Sequence, residues 1–151
     1  MTAPLASDFL EKVTVDILER AAYVFADLPE DEPALLGAAL VARLDFSGPQ
    51  QGAVTLATTP SLAGDIAANM LGEEPGGAAA TAGARDALAE LLNVLSGALM
   101  VQLFGSREVC TLGMPQVRDA EGWDIEPGST VAAWLLVEGA PMAVSVKLGR
   151  G

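Results

Sequence analysis

Apolar positions recur at three- and four-residue steps through Leu10, Val13, Ile17, Ala21, Val24 and Leu28. That period predicts an amphipathic helix over residues 7–28. Ser7 and Asp8 suit its cap, and Glu11 its first turn. The run PEDEP (29–33) ends it. The period then changes to two. Leu36, Ala38, Leu40, Ala42, Leu44 and Phe46 alternate with more polar neighbours such as Arg43 and Asp45, predicting a strand with one buried face. SGPQQG (47–52) supplies a hairpin turn, and AVTLAT (53–58) returns with Val54 and Leu56 facing one way. Thr59-Pro60-Ser61 opens a second helix, with proline near its favoured first position, that stops at Gly72.

Residues 72–84, GEEPGGAAATAGA, form the one low-complexity stretch and are expected to be a flexible surface loop inside a single domain, 1–151. A third helix is predicted over 85–104, ending near Gly105. The rest is β-rich. Residues 108–117 read as a strand broken by Pro115, and 119–129 as a polar loop holding Trp123. Residues 130–138 are nearly continuous in apolar residues, as in a central strand. After a turn at Gly139-Ala140-Pro141, Met142, Val144, Val146 and Leu148 alternate with Ala143, Ser145 and Lys147. This last strand is expected at a sheet edge, which Lys147 would suit. Helix, hairpin, two helices and three strands predict an α/β (α+β) layered fold. Its sheet should be rich in antiparallel pairs, because the strands are joined mostly as hairpins.

The third helix carries the sharpest pattern. Asp86, Glu90, Asn93 and Gly97 are spaced i, i+4, i+7 and i+11. At about 100° per residue they fall within roughly 60° of one another. Leu88, Leu91, Leu92, Leu95 and Leu99 take the opposite side. A plain surface helix more often mixes long Lys and Glu side chains. A short polar row ending in glycine suits docking, although Asp86 also suits a helix N-terminus.

Composition narrows the chemistry. The chain has 151 residues, 51% apolar and 19% charged, enough to bury about two-thirds of its unfolded surface. Its net charge of −12 leaves no basic cluster for phosphates, which argues against nucleic acid. The same charge disfavours an anionic membrane. Histidine is absent, which removes His-based triads and ordinary zinc sites. Cys110, the lone cysteine, reads as a buried inert thiol and gives no disulfide. The N-terminal residues lack a signal-peptide pattern, and uninterrupted apolar runs reach only about ten residues, short of a membrane span. A cytoplasmic protein is expected.

Metal binding by Asp86, Glu90 and one amide would be ligand-poor, and a carboxylate pair for sugar chemistry needs a cleft between its members. A third possibility is that the helix completes another protein's active site. A carboxamide can accept a proton from water while donating to a phosphoryl oxygen, as the glutamine of small GTPases orients its attacking water.

Asp86-x3-Glu90-x2-Asn93, with Pro115 lying 22 positions after Asn93, resembles the signature of the CheC and CheX chemotaxis phosphatases. Gly97, the preceding NMLGEEP and the element order add to the likeness. The resemblance implies a CheC-like layered fold, with long helices packed on the sheet. It also implies a hydrolase that removes the aspartyl phosphate of a CheY-type response regulator. Asn93 would position the attacking water, and Glu90 would pair with the regulator's active-site lysine. Asp86, Gly97 and Pro115 would contact the partner. The regulator would bring its own Mg²⁺, so no metal or other cofactor is expected on this chain. The CheC type carries two such motifs on pseudo-symmetric helices. In the second helix Ser61, Asp65 and Ala68 stand at the corresponding spacing, without the amide, so the chain resembles the CheX type. The likeness also implies a homodimer joined through sheet edges, for which the final strand is the candidate. The alternative is a non-catalytic module of this fold that binds a response regulator or a flagellar switch component, as the middle domain of FliM does. Such a module has no need of the Glu-x2-Asn face.

Overall fold

The computed structural model describes residues 7–30, 37–72, 78–121 and 128–149. Helix α1 (Ser7–Ile17) continues into a π-helical turn over Leu18–Ala22 and stops at Tyr23, whose φ of 56° is left-handed. The backbone N–H groups of Tyr23 and Val24 both donate to the Leu18 carbonyl, closing that wide turn. The helix expected over 7–28 therefore ends six residues early. Val24 is buried in the extended chain leading to strand β1 (Ala26–Asp27), and Leu28 is exposed. An apolar residue in helical phase is uninformative about backbone once the turn has widened.

The hairpin forms as expected. Strand β2 (Ala38–Ser47) pairs antiparallel with β3 (Gly52–Thr58), in register from Leu40 opposite Thr58 to Phe46 opposite Gly52. Glycine is required at 52, because a Cβ there would run into the Lys147 carbonyl and the Phe46 ring. Helix α2 (Pro60–Leu71) is capped by Thr59, whose hydroxyl accepts from the Leu62 N–H at 3.0 Å. Gly72, at φ 70°, ends it in the left-handed conformation that glycine adopts without penalty.

Helix α3 (Ala78–Phe104) is longer than its polar row required. The loop expected over 72–84 is corrected at 78–84, which are already helical. Alanine is the best helix former, and this stretch is rich in it. Residues 73–77 lie outside the described part, as do Leu36, positions 31–33 and Trp123. Beyond α3 come β4 (Thr111–Leu112), β5 (Gln116–Glu121), β6 (Val131–Val137) and β7 (Ala140–Leu148). Pro115 does interrupt the strand expected over 108–117. β5 runs on into the stretch read as loop. Glu138 and Gly139, both at positive φ, form the two-residue β6–β7 turn, whose hand matches the sheet twist.

The described strands make one antiparallel sheet of seven, ordered β1-β6-β7-β3-β2, with β4 and β5 both along the outer side of β2. β7 is therefore an inner strand, bonded to β3 and β6, and the edge position expected for it is corrected. Its alternation does not separate core from solvent. Met142, Val144 and Val146 face the helices. Ala143 and Ser145 are buried on the opposite face, where Ala143 joins a small cluster with Val41 and Ala57. β6, expected in the centre, lies next to the edge.

The three helices share one core with the sheet, in which Leu44, Leu56, Leu135 and Val144 meet Leu10, Ile66, Leu91 and Leu95. On length and composition alone, residues 82–104 would qualify as a membrane span, although polar residues interrupt its apolar runs. Here the leucines of that helix pack on the sheet.

Candidate functional site

Helix α3 places Leu88, Leu91, Leu92, Leu95 and Leu99 in the core, each at most 1% exposed. That burial fixes the helix's rotation, since turning it would bring five leucines into water at about 1.5–3 kcal/mol each. The opposite face is consequently held outward. Asp86, Glu90 and Asn93 are exposed, and Gly97 is half-buried below them. Among the described residues, neither Glu90 nor Asn93 has a hydrogen-bond or ion-pair partner. Arg85, next to the row, ties the helix to β5. Its guanidinium donates to the Val117 carbonyl at 3.2 Å and pairs with Asp119 at 2.5 Å.

The structure thus brings Asp86, Glu90, Asn93 and Gly97 onto one face. Pro115 belongs to a different element, the 113–115 connection between β4 and β5, where the Gly113 N–H donates to the Asp45 carbonyl at 2.7 Å. Both of those strands contact α3. A Cβ built at Gly97 would meet nothing within 4 Å, so packing inside the chain does not require glycine there.

Three residues of this region went unremarked in the sequence. Val94 and Val101 are 37% and 49% exposed, and Met114, beside Pro115, is 81% exposed. The signal for the valines was their phase. Both follow the side of Gly97 and depart from the nearest leucine by roughly a sixth of a turn or more.

The second copy of the motif is closed. On α2 Ser61 is exposed and Asp65 half-buried, but Ala68 is fully buried. Asn69, one position out of phase, donates through Nδ2 to the Ala22 carbonyl at 3.0 Å and so holds α2 against the π-helical turn. Cys110 is half-buried just ahead of β4, rather than enclosed in a strand. Among the described residues no group of three or more Asp, Glu or Cys stands close enough to hold a metal.

An exposed amide one turn beyond an exposed carboxylate can act only on something brought to it. The amide can accept from water and donate to an oxyanion, and the carboxylate can hold a cation.

Comparison with solved structures places the whole architecture. CheX of Vibrio vulnificus is 19% identical, with a TM-score of 0.73 and coverage of 98% of this chain and 99% of that one. CheX of Desulfovibrio desulfuricans is 18% identical at TM-score 0.69, covering 94% and 97%. Borrelia burgdorferi CheX, solved as a CheX-CheY-BeF3-Mg complex, is 14% identical at TM-score 0.68, covering 98% and 100%. No curated protein sequence matches. The model of the family described as chemotaxis phosphatase CheX matches residues 40–136, more than half of the chain and including most of β2 and all of β3, α2 and α3, and the chain belongs to that family.

Proposed function

We propose that this protein accelerates hydrolysis of the aspartyl phosphate on a CheY-type response regulator, and that Asn93 supplies the chemistry. The observation that carries this reading is the pair Glu90 and Asn93. Both are exposed and without partners among the described residues, on a helix whose other side is locked into the core. Membership of a phosphatase family supports it. So does the Borrelia burgdorferi complex, in which a CheX is bound to CheY with BeF3 and Mg.

An acyl phosphate is intrinsically labile, so the catalyst has little bond-breaking to assist. On docking, the Asn93 carboxamide oxygen accepts a hydrogen from a water and aims it in line with the phosphorus. The amide N–H donates to a phosphoryl oxygen, where negative charge gathers. Glu90 pairs with the regulator's lysine and sets the register. Mg²⁺ is bound by the regulator, and this chain contributes neither metal nor cofactor. The protein works in the cytoplasm with its partner.

The test is the decay of phosphorylated CheY from the same organism, with Mg²⁺, in the presence of wild type or Asn93→Ala. Loss of one positioned donor is expected to slow turnover by about 10²–10³-fold while binding is retained. Wild-type binding without acceleration would instead favour the adaptor reading.

A further inference from the structure

The exposed face of α3 changes character along its length. Asp86, Glu90 and Asn93 form its N-terminal part. Val94, Gly97 and Val101 continue the face towards Phe104 without a charge. From Asp86 to Val101 the face runs about 22 Å at 1.5 Å per residue, on the scale of a protein–protein contact. Val94 and Val101 are exposed on a helix that buries its five core leucines, and nothing within the described chain covers them. Gly97 lies between the two valines, and its empty surroundings leave room for a main chain to approach.

We propose that the two parts divide the work. Glu90 sets the register and Asn93 acts on the phosphoryl group, whereas Val94, Gly97 and Val101 set how tightly the regulator is held. This rests on the reading that the α3 face docks a phosphorylated receiver. The occupant is that receiver domain, seated with its cationic lysine over Glu90 and an apolar surface over the valines. The charge of the row selects the first contact. Its continuity with the uncharged part along one rigid helix supplies the second, because Val101 lies about 12 Å along the axis from Asn93, within the span of a domain resting there. Val94 and Val101 are thus affinity-determining residues that touch no reacting atom.

The division predicts a split between KM and kcat. The variant Val94→Ser/Val101→Ser is expected to raise KM, and the dissociation constant for CheY loaded with BeF3⁻ and Mg²⁺, by about tenfold or more. Its kcat should stay within about twofold of wild type. Gly97→Ala, which strengthens the helix, is expected to weaken the same binding although the protein unfolds at a higher temperature. Asn93→Ala, run alongside, should show the reverse pattern, with kcat lost and binding kept. An unchanged KM in the valine variant, or a parallel fall in kcat, would overturn the division while leaving the phosphatase reading intact. Wild type that neither binds loaded CheY nor accelerates decay would overturn both.

Discussion

Glycine in the middle of a helix costs roughly 1 kcal/mol relative to alanine, and at Gly97 no neighbouring atom within 4 Å explains it. Gly97→Ala is therefore expected to stabilise the isolated protein by about that amount, read as a shift in the urea midpoint at constant m. The same physics marks Thr14. Its hydroxyl is buried without a hydrogen-bond partner among the described residues, in an apolar setting near Leu56, Leu91 and Leu95. Thr14→Val removes the unmet hydroxyl at nearly constant shape, and a gain of about 1 kcal/mol is expected from chemical denaturation. The polar row was readable from sequence because its members share one helical phase with no leucine among them. Val94 and Val101 were not, since hydropathy carries no direction. Nor was the burial of Ala68, because an alanine at any phase is neutral to patterning.

Elements were legible where local chemistry and period agreed. Helix α2 has its start written in Thr59-Pro60 and its end in Gly72, and both hold in the structure. Thr59→Ala should lower stability by about 1 kcal/mol through the lost cap, measured by thermal or urea unfolding. The β2–β3 hairpin was equally plain. The end of α1 was hidden because the π-helical turn keeps Leu18 and Ala22 buried while the chain leaves the helix at Tyr23. Low complexity misled at 78–84. Alanine and glycine there suggested a loop, yet Gly83 sits against Leu71 and Ala67 where α2 and α3 lie together. Tertiary packing decided what propensity left open.

At the scale of the whole molecule, strand order is the property that patterning reports least. Alternation tells how many faces of a strand are buried, not which strands flank it, and so β7 was placed at an edge it does not occupy. A dimer through sheet edges must use another strand. β5 carries Arg118, Asp119 and Glu121, charges that discourage edge pairing, whereas β6 has none from Val131 to Val137. β1 covers β6 only at Leu136 and Val137. We propose β6 as the joining edge. Light scattering is then expected to give twice the 15.4 kDa chain mass, reduced to the single mass by Ala132→Lys. One further consequence follows from Ala68, which is 0% exposed on α2. An asparagine restored there would point into the interior, so a second working face cannot be regained by a single codon change. Each chain should accept one regulator at a time, and a calorimetric titration should saturate at one per protomer.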